Sequence, residues 1–165
     1  MRLSLKSVTK YVSDNIGKFH AARLEGLKKI KLRQILKRKN PYLFKAKNIV
    51  DAHDLVKTLL DAHLSSQEET MFGEFLEGLA IYICSRVYNG RKSSTEGIDL
   101  EFEKENITYI VSIKSGPNWG NSSQVAKMKD DFRKARKTFR SNNAKANVNA
   151  INGCCYGQDN QPEKE

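Results

Sequence analysis

Residues 96–124 read EGIDLEFEKENITYIVSIKSGPNWGNSSQ, and the fold is decided in this stretch. Ile98, Leu100 and Phe102 alternate with Asp99, Glu101 and Glu103; Ile107, Tyr109, Val111 and Ile113 alternate with Thr108, Ile110, Ser112 and Lys114. Alternation of period two places one set on each face of a sheet. The short link Lys104-Glu105-Asn106 makes the two runs an antiparallel hairpin. The hairpin carries an acid, Asp99, and delivers Lys114 at the end of the neighbouring strand. An aspartate and a lysine converging at a strand end suit a divalent cation with a positioned water, the equipment of phosphodiester hydrolysis.

Outward from the hairpin, Gly116-Pro117 breaks the second strand, and Asn121 or Ser122 caps a helix expected over 123–141. Val125, Met128, Phe132, Ala135 and Phe139 recur at helical spacing as its buried face, and Lys or Arg covers much of the rest. A third strand is expected at 146–151, and 157–165 read as tail or loop. On the N-terminal side, residues 1–39 are helix-prone and basic, and Asn40-Pro41 should end that helix. Tyr42-Leu43-Phe44 reads as an aromatic plug against the core, and a helix is expected over Ile49–Leu64. Ser66-x-x-Glu69 has the capping-box pattern and would open another helix running to Tyr88, before Asn89-Gly90. The apolar stripe of that helix reads Phe72, Phe75, Leu76, Leu79, Ile83 and Val87. Glu77 lies off it, among Gly73, Ala80, Ile81 and Cys84. An acid among small and apolar neighbours tends to be half-buried and then wants a cation. The alternative is that Glu74 and Glu77 both face water.

The 165 residues suffice for one core without staples. Three cysteines with no C-x-x-C pair, an N-terminus without a signal-peptide core and no spanning apolar run give the expectation of a cytoplasmic protein with no membrane association. The net charge of +10 is unevenly spread: +12 over residues 1–50, −7 over 51–110 and +5 over 111–165. Basic flanks around an acidic middle fit a polyanion gripped at the edges of a cation-binding site. Solvated basic helices are the alternative.

The strings IDLEF and YIVSIKSGPNWGNSSQ resemble type II restriction endonucleases of the PmeII-like group, within the PD-(D/E)XK nuclease superfamily. NPYLFKAKNI at 40–49, ETMFGEFLEGLAI at 69–81 and NGCCYGQDN at 152–160 extend the resemblance over about residues 30–160. It implies an α/β core, a mixed sheet flanked by helices, with a helical N-terminal region. The expected division is a basic helical region at 1–66 and a nuclease core at 67–165. Chains of this kind generally continue past residue 165, so the core reads as shortened at its C-terminal end. The implied activity is Mg²⁺-dependent, sequence-specific cleavage of double-stranded DNA by a homodimer, alongside a cognate DNA methyltransferase.

By the same resemblance the superfamily Asp falls on Asp99 and its Lys on Lys114, whereas the acid two residues before the Lys falls on Ser112. Serine cannot supply a metal-bridging charge. Glu77 is then the replacement ligand, with Glu96 in reserve and the peptide carbonyl of Ile113 as a further ligand. Gln124 is a candidate contact to the water or a phosphate oxygen. Asn118, Trp119, Asn121, Ser122 and Ser123 form a polar loop suited to DNA, although Trp119 could equally wedge the loop against the core. A relative that binds DNA without cutting it is the alternative function, and a basic RNA-associated helical protein ranks third.

Overall fold

The computed structural model describes residues 3–37, 39–142 and 146–157. Four helices come first: α1 (Leu5–Lys28), α2 (Leu32–Leu36), α3 (Pro41–Ala46) and α4 (Ala52–Tyr88). Then follow β1 (Arg91–Lys92), β2 (Leu100–Lys104), β3 (Ile107–Lys114), α5 (Ser122–Asn142) and β4 (Asn147–Cys154). The chain divides into two compact units, a sheet unit of Met1–Asp14 with Gly73–Glu165 and a helical unit of Asn15–Phe72. The first 14 residues thus group with the sheet rather than with the rest of the basic region. Within the sheet unit the reason is local: Tyr11 stacks on Tyr82 at 4.3 Å, and the Tyr82 hydroxyl donates to the Ser7 carbonyl at 3.4 Å.

The sheet has the order β1-β2-β3-β4, antiparallel except that β4 runs parallel to β3. It is the mixed α/β sheet flanked by helices that the family resemblance implied. Leu100 faces Val111 and Lys104 faces Ile107, leaving a two-residue turn of Glu105 (φ 53°) and Asn106 (φ 60°). Both φ values are positive, as a type I′ turn requires. Alternation sorts the side chains of β2 and β3 as expected, but Ile98, expected on the face of Leu100 and Phe102, lies on the opposite one, because the chain leaves regular register before β2. Ile110 joins Ile98, Val148 and the α5 residues Met128, Phe132 and Ala135 in one core cluster, while Leu100 and Val111 join Cys84 of α4 in another. With both faces covered, β3 is the central strand and Ile110 is fully buried.

Several boundaries differ from the sequence reading. Residues 52–88 form one helix, so Ser66 is an interior residue and not a cap; its carbonyl accepts the Thr70 hydroxyl at 3.1 Å. The S-x-x-E pattern is compatible with either place, and here the flanking helical runs win. The face of α4 toward the sheet is also different. Ile81 and Cys84 pack on the strands and Tyr88 stacks on Phe102 at 5.0 Å, whereas Phe72 and Val87 are largely exposed. Glu77 is in line with Ile81, Cys84 and Tyr88 at helical spacing. Asn89, left-handed at φ 56°, ends the helix where expected.

In the helical unit Ile35, Phe44 and Leu59 form a small core, with Ile30, Leu32, Ile49, Leu55 and Leu60 around it. The expected plug at 42–44 is buried only through Phe44, since Tyr42 is 77% exposed. Asn40 does not merely end a helix: its side chain caps α3 by accepting from the Tyr42 N–H at 3.0 Å, with Pro41 in the first turn. Asp51 caps α4 through the Asp54 N–H at 2.9 Å, and this bond holds its carboxyl below the ordinary value. The expected tail at 158–165 lies outside the described residues. β4 is longer than the strand read from the sequence.

The turn yields a test. A glutamate bears the left-handed conformation poorly, and asparagine tolerates it. Glu105→Asn should therefore stabilise the protein by on the order of 0.5–1 kcal/mol, raising Tm by about 1–4 °C in a calorimetric scan. An unchanged or lower Tm would show that the hairpin turn has another geometry.

Candidate active site

Asp99 sits just before β2, and its N–H donates at 3.0 Å to the carbonyl of Val111, the residue that already faces Leu100, so the ladder leaves regular register here. Its carboxylate then turns to the end of β3. Oδ2 accepts the Ile113 N–H at 2.6 Å and the Ser112 hydroxyl at 3.4 Å, while Oδ1 accepts no hydrogen bond among the described residues. In an antiparallel pair the N–H and C=O of one residue point the same way. The Ile113 carbonyl therefore faces the side on which Asp99 lies. Ser112 is 3% exposed; in place of an acid it offers a donor to Asp99, and Lys114 follows two residues on, on the same face.

Lys114 is fixed from two directions. Its carbonyl accepts the Cys155 N–H at 2.9 Å, tying it to the chain beyond β4. Its ammonium lies 4.8 Å from the centre of the Trp119 ring, a cation–π contact. Trp119 is half-buried against the cluster around Ile98 and Ile110, so it wedges the loop as well as holding the lysine. Gly116 and Gly157 complete the packing. A methyl group on Gly116 would overlap the Tyr156 ring, and one on Gly157 (φ 74°) would press on Pro117.

Glu77 reaches this end of the sheet from the other face. Moving back along α4 from Tyr88, which stacks on Phe102, through Cys84 and Ile81, the helix arrives at Glu77. Its carboxylate is 27% exposed and pairs with the Lys92 ammonium at 3.1 Å. Lys92 faces Leu100 in the sheet, so its ion pair holds Glu77 at the end of the sheet next to Asp99, and burial first, then Cys154 and Glu77, pushes the Cys155 thiol above its ordinary value. Asp99, Lys114, the Ile113 carbonyl and Glu77 thus gather at one end of the sheet, although no hydrogen bond joins Glu77 to Asp99. Among the described residues no group of three or more His, Cys, Asp or Glu side chains surrounds a common point.

The remaining residues separate. Glu96 is exposed and lies among the α5 cations, adding to the rise of the Lys127 and Lys134 pKa values that Asp131 and Asp130, respectively, mainly produce. Gln124 and Asn121 form a reciprocal cap: the Gln124 side-chain oxygen accepts the Asn121 N–H at 2.9 Å, and Asn121 Oδ1 accepts the Gln124 N–H at 3.0 Å. Asn118, Ser122 and Ser123 are exposed on the same loop and first turn. Glu101, by contrast, is a buried acid with a structural task, its two oxygens taken by Arg91 at 2.7 Å and the Ser93 hydroxyl at 2.8 Å. The sequence reading missed the hold of Ser112 on Asp99, of Trp119 on Lys114 and of Lys92 on Glu77. Only the last had a local signal, because a half-buried acid needs a cation.

A family model described as Type II restriction endonuclease EcoO109I matches residues 6–165. The chain belongs to this family. No curated protein matches it. Membership makes the chain a type II restriction endonuclease by family, a DNA nuclease, and supports that level of the expected resemblance without singling out the PmeII-like group. Among the described residues no helix is long and apolar enough to cross a membrane.

Two measurements probe the restriction endonuclease site. Asn121→Ala should lower stability by about 1 kcal/mol in urea unfolding, and Gln124→Ala should also lower it, because each removes one arm of the cap. If neither midpoint moves, the cap is not formed in solution. Independently, Glu77→Gln removes a negative charge near Cys155, so its thiol pKa should fall and iodoacetamide should label it faster at pH 8. An unchanged labelling rate would separate Glu77 from this end of the sheet.

Proposed function

We propose that this chain is a Mg²⁺-dependent, sequence-specific endonuclease of the PmeII-like, PD-(D/E)XK kind, cutting double-stranded DNA in the cytoplasm as a homodimer beside a cognate methyltransferase. The observation that carries the reading is the hydrogen bond from Ile113 N–H to Asp99 Oδ2, which ties the carboxylate to the end of the strand that carries Lys114 and leaves Oδ1 without a hydrogen bond among the described residues. Hydrolysis of a phosphodiester needs a more acidic water and a stabilised leaving oxygen, and a hard divalent cation held by oxygen donors supplies both.

The residues fit such a cation in kind. Asp99 Oδ1, the Ile113 carbonyl and the Glu77 carboxylate are all hard oxygen donors, and Mg²⁺ commonly takes only one or two carboxylates and completes its shell with water and phosphate. Glu77 would contribute by releasing Lys92, whose ammonium balances its charge otherwise. Lys114 would leave the Trp119 face for a non-bridging phosphate oxygen, neutralising charge that builds up at phosphorus and orienting the attacking water. Gln124 has spent its carbonyl oxygen on the cap but keeps two amide donors for a phosphate oxygen. Asn118, Trp119, Asn121, Ser122 and Ser123 would meet the duplex beside the scissile bond, with exposed Asn118 suited to a base edge and the two serines to phosphates.

A second reading, a relative that binds DNA without cutting it, rests on Ser112. The hydroxyl brings one negative charge fewer to the site than an acid would, which weakens cation binding.

Plasmid DNA should be linearised with Mg²⁺ and left intact in EDTA. Asp99→Ala and Lys114→Ala should each lower the cleavage rate by at least about 10³-fold, with DNA binding in Ca²⁺ retained. Variants that cut as well as the wild type would refute the assignment. Salt-sensitive binding with no nicking in any divalent metal would favour the second reading.

A further inference from the structure

Between Gly26 and Val50 the sequence holds nine Lys or Arg and no acid. Among the described residues the structure shows where these cations lie. Ile30, Leu32, Ile35, Phe44 and Ile49 pack with Leu59 in the small core of the helical unit, while Leu36, Leu43 and Val50 stay exposed. Lys31, Arg33, Lys37, Lys39, Lys45 and Lys47 are all exposed, and none forms an ion pair among the described residues. The exposed surface of the segment is therefore rich in cations, with Leu36, Tyr42 and Leu43 exposed in the same stretch.

Its backbone is set by local bonds. The Asn40 cap and Pro41 start α3. Asn48, left-handed at φ 56°, ends it, with the Ile49 N–H on the Phe44 carbonyl and the Asn48 N–H on the Lys45 carbonyl, both at 3.0 Å. This is the Schellman arrangement, and it fixes the spacing of the lysines on either side. Like charges held close repel one another, and a polyanion relieves that repulsion while releasing its own counterions. Tyr42, exposed in the first turn of α3 between Lys39 and Lys45, adds an aromatic face to the cationic field.

We infer that this acid-free face of residues 29–47 is a second DNA-binding surface, which grips the phosphate backbone of the duplex without reading its sequence. The inference rests on the proposed nuclease reading and adds to it an anchoring site in the helical unit, separate from the Asn118–Ser123 loop. A lipid surface is a poorer fit, because membrane-lying helices need a continuous apolar face, and α2 and α3 are five and six residues long and expose one leucine each, Leu36 and Leu43. A second copy of the same face is poorer still, since it would oppose cations with cations.

The experiment measures the affinity of the full chain for a non-cognate duplex in Ca²⁺ across a salt series. A variant carrying Lys31→Ala, Arg33→Ala, Lys45→Ala and Lys47→Ala should bind at least 10-fold more weakly. Its slope of log K against log salt should fall by about 0.9 for each phosphate that the variant no longer neutralises. Its Tm and the sequence it cuts should stay as in the wild type, and Lys→Arg exchanges at positions 31, 45 and 47 should keep the slope. A wild type that cuts DNA, paired with a variant of unchanged slope, overturns this inference alone. So does a variant whose only loss is dimerisation in sedimentation, or only its binding to vesicles containing phosphatidylserine. A wild type that neither binds nor cuts DNA overturns the nuclease reading as well.

Discussion

The hydrogen bond from Ile113 N–H to Asp99 Oδ2 is the constraint on which the site is built. Before Leu100 the partner strand leaves register, since the Asp99 N–H bonds to Val111 and the Ile98 N–H turns to the Thr95 carbonyl, so the regular acceptor for Ile113 is displaced. The Asp99 carboxylate takes that acceptor's place. A buried N–H without a partner costs free energy comparable to a lost hydrogen bond, so the exchange is enforced by the end of the sheet itself. It fixes one carboxylate oxygen and leaves the other without a hydrogen bond among the described residues. What would be an ordinary surface acid in a longer strand becomes an oriented one.

The double covering of β3 does the rest. Ile110 faces the α5 cluster and Val111 the α4 cluster, so the strand can neither slip nor turn over without moving one apolar set into water. Lys114 inherits that fixed register. Glu77 inherits a similar one from α4, because Ile81 and Cys84 lock the same helical stripe to the sheet. The two acids approach from opposite faces, each placed by packing that serves the core.

Much of this was legible in the sequence, for identifiable reasons. The hairpin was plain because alternation, turn length and a covered sheet all agree on one register. The α5 helix was plain because Asn121 caps it and Val125, Met128 and Phe132 keep strict spacing. α4 was misread in two ways that share a cause. Ser65-Ser66 and the Phe72–Val87 stripe are local patterns, whereas the choice of face was made by tertiary packing of Ile81, Cys84 and Tyr88. Glu77 was legible all the same, since small and apolar neighbours one turn away mark the buried side. The partners of the site residues were not, because Lys92 lies 15 positions from Glu77 and Trp119 meets Lys114 only through the bend of the Gly-Pro loop.

The packing of Gly116 on Tyr156 and of Pro117 on Gly157 has a consequence for the order of assembly. The strand that bears Lys114 is complete some 40 residues before the chain supplies the ring and the glycine against which its loop closes. Until those arrive, the parallel neighbour is missing too, and the lysine has no fixed address. The site therefore closes only with the last described turn of the chain in place, and the hairpin that contains its chemistry does not complete it alone.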